Sequence, residues 1–166
     1  MAMQYDVLSA HINVTGKMIT GRARLKAIIV TGGGSAGYAY LWDTTSAPVS
    51  VTYARSGNTV TVTSTAHGLS TGASVGLVLG AGTGGQGTSG NYTITKTGAD
   101  TYTVQDPNAG SITAGAAGLQ APAWLTSIDI AANETVALPI PGEGVLAESG
   151  VYATVTNLSG LTVFYG

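Results

Sequence analysis

Two histidines, eight carboxylates and six basic side chains are the whole stock from which this chain could assemble acid–base or metal chemistry. His67 sits in Thr65-Ala66-His67-Gly68-Leu69, at the end of a strand pattern, and its segment offers only Asp100 and Asp106, each in or beside a turn signal. A catalytic or metal-binding histidine needs converging partners, so His67 reads as structural. His11 lies in the N-terminal segment and reads as an interface residue. The other carboxylates, Asp6, Asp43, Asp129, Glu134, Glu143 and Glu148, are scattered. No Asp-x-Asp-x-Asp spacing marks a calcium loop, and nothing marks a carboxylate pair for glycoside hydrolysis. Gly32-Gly33-Gly34-Ser35-Ala36-Gly37 runs into a strand pattern and lacks both a Gly-Lys-Ser/Thr ending and the helix N-terminus that would hold a phosphate. With no cysteine, disulfides and thiolate metal sites are ruled out. These residues lead us to expect no enzyme, no cofactor and no metal.

Three groups are suited to binding instead. Lys17, Arg22, Arg24 and Lys26 are four of the six basic residues, and Arg22, Arg24 and Lys26 alternate, so a strand presents all three on one face. A solvated face and a cationic strip docking on an acidic partner both fit. Tyr38, Tyr40 and Trp42 alternate in the same way, with Trp124 expected nearby. Such a ladder fills a core or an interface, and a carbohydrate platform is the sharper alternative. The third group is the run Gly80–Gly90, with Gly82, Gly84, Gln86 and Ser89, which reads as an exposed loop too rich in glycine to have one intrinsic shape.

The elements that must carry these groups are strands. Helix signals are nearly absent, and the chain reads as all-β. Strand patterns begin at Tyr5-Asp6-Val7-Leu8 and Ile12-Asn13-Val14. They continue at Lys17–Thr20, Arg22–Thr31 and Tyr38–Asp43. Composition then shifts at Thr44-Thr45-Ser46-Ala47-Pro48. From Val49 to Gln120 the chain is dominated by Thr, Gly, Ser and Val, with only Arg55, Lys96, Asp100 and Asp106 charged. Strands are expected there at Val49–Arg55, Thr59–Thr65, Ala73–Leu79, Asn91–Thr97 and Thr101–Gln105. Ser56-Gly57-Asn58 and Gly98-Ala99-Asp100 read as hairpin turns, and Asn108–Gly118 as a soft exit. After Ala121-Pro122 the first style resumes with Trp124–Ile130 and Thr135–Leu138. The ending Leu138–Gly166 carries turns at Pro141–Gly144 and Ser149-Gly150, then the alternating runs Val151–Thr156 and Leu161–Tyr165, joined as an antiparallel pair at Asn157–Gly160.

Residues 1–48 and 121–166 therefore read as one discontinuous host domain, a β-sandwich or jelly-roll. Residues 49–120 read as an inserted small β-barrel or sandwich projecting outward. Removing the insert in thought leaves Tyr38–Asp43 and Trp124–Ile130 as a hairpin, and a hairpin tip tolerates a guest because its backbone is exposed. Charged residues are only 8% of the chain, which leaves little electrostatic protection against self-association and points to an assembled form. The net charge of −2 argues against nucleic-acid binding. No apolar run approaches the roughly 18 residues of a membrane helix, and no membrane association is expected. MAMQYDVLSAHINV lacks a basic start followed by an apolar core, so no secretory signal is expected.

Two resemblances carry the functional expectation. The insert resembles a small β module of tailed-bacteriophage structural proteins, through Thr59–Ser64, Ala66–Val75, Asn91–Thr95 and Ala99–Val104, and departs from it in the long Gly80–Gly90 loop. The host resembles small phage head-associated proteins, through Gly21-Arg22-Ala23-Arg24-Leu25 and the segments Leu138–Gly144 and Leu161–Gly166. The resemblance implies a capsid decoration (cement) protein, a homotrimer on the outer surface of the virion bridging subunits of the major capsid protein. On that reading Lys17, Arg22, Arg24 and Lys26 are the capsid-interface candidates. The alternative is a tail-spike, fibre or head-fibre adhesin binding host glycans through the insert. A tail-associated glycan hydrolase ranks third.

Overall fold

Ala23 and Leu25 on one strand, then Ile28 and Val30 after a one-residue shift of phase at Lys26-Ala27, are apolar and buried, as are Leu161 and Val163 on its neighbour, and this alternation drives the first of two cores. The structure is a computed structural model and describes residues 7–166. Tyr5 and Asp6 of the first expected strand lie outside the described residues. The chain divides into two compact units: residues up to Ala47 with Leu125–Gly166, and Pro48–Trp124. All regular elements among the described residues are strands, and no sheet closes into a barrel.

The first unit contains β1 (Leu8–Ile12), β2 (Gly16–Thr20), β3 (Ala23–Gly32) and β4 (Gly37–Asp43). The second contains β5 (Val49–Thr63), β6 (Ser74–Leu79), β7 (Ala81–Gly82), β8 (Gly85–Gln86), β9 (Gly90–Thr93), β10 (Thr95–Lys96) and β11 (Thr101–Ala121). The chain then returns through β12 (Trp124–Ile130), β13 (Thr135–Pro139), β14 (Val145–Ala147), β15 (Gly150–Thr156) and β16 (Leu158–Tyr165).

The first unit is a sandwich. One sheet has the order β1-β16-β3-β13, with β14 also on β3, and the other has the order β12-β4-β15-β2. A single core draws Leu25, Val30 and Leu161 from one sheet and Leu41, Ile128 and Val151 from the other. β4 and β12 are sheet neighbours although the whole second unit lies between them in sequence. The C-terminal runs depart from expectation. β15 and β16 are not a hairpin: β15 pairs with β4 and β2, whereas β16 pairs with β3 and β1 in the facing sheet. The switch occurs at Asn157, held at φ 53°, where its carbonyl accepts from Gly33 N at 2.8 Å. A left-handed residue turns the chain out of the sheet plane, so the strand pattern continues in the other layer.

The second unit is built on one long antiparallel ribbon, β5 against β11. Three expectations fail here. Ser56-Gly57-Asn58 is not a turn but lies inside β5, with Ser56 opposite Ser111 and Gly57 opposite Gly110. Asn108–Gly118 is not a soft exit but part of β11, whose end pairs with β6. The register shifts between Gln105 and Gly110, and again between Ile112 and Ala116, so the extra residues bulge from β11. Pro107 sits in the first bulge, where its missing N–H breaks no ladder bond. Gly98-Ala99-Asp100 does turn, bringing Thr95 opposite Thr103.

The third failure is the shapelessness of the glycine loop: Gly84 and Gln86 are exposed as expected and Gly82 and Ser89 half-buried, but the run is held in one place. Thr113 N donates to Thr83 O at 2.9 Å, and the Tyr53 hydroxyl donates to Gly80 O. Gly82 is half-buried against Ile112 and Ala116. The Gln86 side-chain amide donates to Leu79 O at 2.8 Å, and the half-buried Ser89 hydroxyl accepts from Leu79 N at 3.0 Å. Gly84, at φ 102°, lies so close to Ser111 that a Cβ would run into its carbonyl oxygen.

Two measurements check this description. Gly84→Ala destabilises the chain by roughly 1–3 kcal/mol in a denaturant titration, because it combines backbone strain with a clash. Gly34→Ala has open space around it and leaves the midpoint unchanged; a silent Gly84→Ala means a free loop. Separately, a chain with residues 48–124 replaced by a short Gly/Ser link keeps its β circular dichroism and a cooperative melt. Aggregation of that chain, together with failure of the isolated segment to fold, means one continuous core.

Candidate functional site

β3 displays the basic face. Ala23 and Leu25 point into the core, so Arg24 and Lys26 point outward, and Arg22 just precedes the strand. Lys17 is exposed on β2, in the other sheet, and is not part of this strip. The strip is not bare. Arg22 Nε lies 3.0 Å from Glu148 Oε2, Arg24 lies 3.6 Å from Glu143 Oε2, and Lys26 Nζ donates to Glu143 O at 2.9 Å. Two arginines thus face two carboxylates, and Lys26 meets a backbone carbonyl. Both ion pairs are solvated, and pairs of that kind are worth about 0–1 kcal/mol, so the arginines stay available to a competing anion. Arg22, Arg24, Leu146 and Gly166 line a shallow cleft of about 280 Å³ beside the strip.

Tyr38, Tyr40 and Trp42 form the ladder on β4. The two tyrosine rings stack at 4.5 Å, and Tyr40 meets Trp42 edge-on at 6.5 Å. Trp42 is fully buried, with Nε1 donating to Thr154 Oγ1 at 3.2 Å, so it offers no face to a sugar. Burial, and then the nearby Tyr38 and Asp129, push the Tyr40 hydroxyl up from its ordinary range. Trp124 belongs to the second unit. Its N–H donates to Asn91 Oδ1 at 2.7 Å and its carbonyl accepts from Asn91 Nδ2 at 2.8 Å, so an asparagine amide replaces a strand partner.

Among the described residues neither histidine meets a chemical partner set. His67 Nδ1 accepts from Leu69 N at 3.0 Å, and its ring lies edge-on to Tyr102. His11 Nδ1 pairs with Thr162 Oγ1 at 2.9 Å. Among the described residues no three His, Asp or Glu side chains converge as metal ligands do.

Sequence reasoning missed the most polar cluster of the second unit. Asp106 and Arg55 are buried, 2% and 9% exposed, and joined at 2.9 Å. Asp106 also accepts from Thr88 N at 2.9 Å, from Thr88 Oγ1 at 2.6 Å and from Asn108 N at 2.9 Å. Asn58 Nδ2 donates to its carbonyl at 3.0 Å. Asp106 continues the buried alternation of Tyr102 and Val104 on β11, at the start of the first bulge. The cluster joins both ribbon strands to the end of the glycine loop. Its signal was present: Arg55 and Asp106 are two of only four charges in a long neutral segment.

Burial alone would raise the Asp106 carboxyl, but the Thr88, Asn108 and Arg55 hydrogen bonds outweigh it and lower it from 3.8 to about 2. A lowered carboxylate stabilises the fold above its unfolded value, and that stability is lost as pH falls. Denaturant titrations should therefore show roughly 2 kcal/mol disappearing between about pH 4 and about pH 2. Asp106→Asn should remove that slope. Asp106→Ala, which strands Arg55 in the interior, should cost about 3–5 kcal/mol at neutral pH. An Asp106→Ala chain as stable as the parent would mean that the pair is solvated.

Neither the protein-family models nor the curated proteins contain a match to this chain.

Proposed function

We propose that this chain is a capsid decoration protein of a tailed bacteriophage, a trimeric non-enzymatic component on the outer surface of the virion. The observation that carries the reading is the splice: a complete second β unit is inserted between β4 and β12, two neighbouring strands of one sheet. A structural protein gains from this arrangement, because the sandwich can be devoted to contact while the insert varies. The scarcity of charge supports the same reading, since a surface with few ions is cheap to desolvate in an assembly. The mechanism is mechanical. Contacts made only in the assembled shell stabilise that shell by mass action against internal DNA pressure.

One observation favours the adhesin reading. Thr83, Thr113, Gly115 and Ala116, with their neighbours, line a cleft of about 370 Å³ where the glycine loop meets the second bulge of β11. Its small side chains and hydroxyls leave room for a sugar. On that reading Thr83→Val with Thr113→Val abolishes attachment to host cells and leaves capsid binding intact.

Co-sedimentation with purified capsids of the encoding phage tests the proposal. The intact protein should pellet with the shell. Changing Arg22, Arg24 and Lys26 together to Gln should weaken binding about tenfold at low salt and less at high salt. Glu143→Gln with Glu148→Gln frees both arginines and should strengthen it. An intact protein that stays in the supernatant ends the decoration reading.

A further inference from the structure

Five large apolar side chains are exposed among the described residues: Val7, Leu8, Val14, Val49 and Leu138. Four of them belong to the first unit, and they sit at the two edges of a single sheet, both open among the described residues. Leu8, 53% exposed, is on β1, with Val7 and Val14 just outside its ends, and Leu138, 36% exposed, is on β13. β1 and β13 are the terminal strands of the order β1-β16-β3-β13.

Natural sheets protect open edges with charges, prolines or very short strands, because a row of free N–H and C=O groups templates further pairing. The facing sheet obeys this rule: its edge strand β2 carries Lys17, and its edge strand β12 carries Asp129. The sheet containing β1 obeys it only at Pro139, the last residue of β13. β1 reads Leu-Ser-Ala-His-Ile and β13 reads Thr-Val-Ala-Leu-Pro, with no ion in either. Pro139 only closes the end of β13.

Strand direction fits as well. β1 is antiparallel to β16, β16 to β3 and β3 to β13, so β1 and β13 run in opposite senses. When one copy follows another with its sheet facing the same way, β13 of the second lies antiparallel to β1 of the first. The alternation of the sheet continues across the boundary, no like charges meet, and Leu8 and Leu138 are brought to the same junction.

We propose that this sheet continues from copy to copy, with β1 of one chain pairing antiparallel with β13 of the next. Such a contact joins two different surfaces, so it either closes into a ring or grows without limit. The decoration reading supplies only the ring size of three; the edge pairing stands on the strands themselves.

The test uses the full chain, with Leu8→Glu and Leu138→Glu made separately. Both side chains are exposed, so each variant should keep the parent's circular dichroism and melting midpoint. Light scattering coupled to size exclusion then gives the masses. The parent should be a closed oligomer, and each variant alone should be a monomer. An equimolar mixture of the two should form a heterodimer, because the intact β1 of one variant still meets the intact β13 of the other. A monomeric parent at micromolar concentration overturns the proposal and leaves the edges to another occupant, such as a strand of the shell protein. A Leu138→Glu chain that keeps the parent's mass also overturns it, since β1 would then be pairing with β1. Capsid co-sedimentation of the same monomeric variants separates this failure from failure of the decoration reading.

Discussion

A carboxylate removed from water has to be met by enough donors to replace its hydration, and in the second unit that demand falls on Asp106. Arg55, Thr88 and Asn108 meet it from three separate segments. The consequences reach beyond the ion pair. Just past Asp106 β11 bulges, which lets Asn108 N turn back to the carboxylate and takes up Pro107 where a regular ladder would reject it. To supply Thr88, the glycine-rich run must end in a fixed place, so a segment with little intrinsic preference becomes ordered. Gly110 lies against the Arg55 guanidinium, where a side chain would crowd it. A buried pair of this kind adds little net stability compared with apolar packing, but it penalises every register that leaves either charge alone. In a unit made of interchangeable Thr, Val and Gly strands, that penalty selects one pairing out of many.

The sandwich unit relies on a different device. Its strands are ordinary apolar alternations, and its two layers are stitched by chain segments that leave one sheet and enter the other. Asn157 provides one crossing. Gly37 allows it, because a side chain there would occupy the space of the Thr156 and Asn157 carbonyls. The basic residues that look like a strip in sequence are tempered by Glu143 and Glu148, which come from turns more than a hundred residues away.

Period-two alternation made most of the sandwich legible from sequence. β4 and β12 begin and end within a residue of their patterns, because each carries a buried stripe and is bounded by turn residues. The pairing of β15 and β16 was not legible. Alternation reports which face is buried and not which sheet the face belongs to, so a corner and a hairpin look alike. In the insert, Gly57 and Gly115 read as punctuation, yet both lie in or beside bulges of two long strands. Local turn chemistry and bulge chemistry use the same residues, and only the partner strand separates them. The ion pair was missed for a related reason. Arg55 and Asp106 each continue a buried alternation, after Val51 and Tyr53 and after Tyr102 and Val104, but they are distant in sequence and nothing in either segment names the other as its partner.

The first and last residues of the long ribbon have a kinetic consequence. Val49 lies directly opposite Gln120, so the ends of the second unit stand side by side once it has folded. For the sandwich to pair β4 with β12 while that segment is unfolded, it must close a loop of about 80 residues, an entropic penalty of roughly 4 kcal/mol. Folding the segment first shortens that loop to a few residues. The insert then acts as an internal splint, its own transition holding two distant strands at hairpin distance before the sheet around them exists. The order of events is thereby biased inward to outward, and anything that loosens the ribbon slows the closing of the layer that carries it.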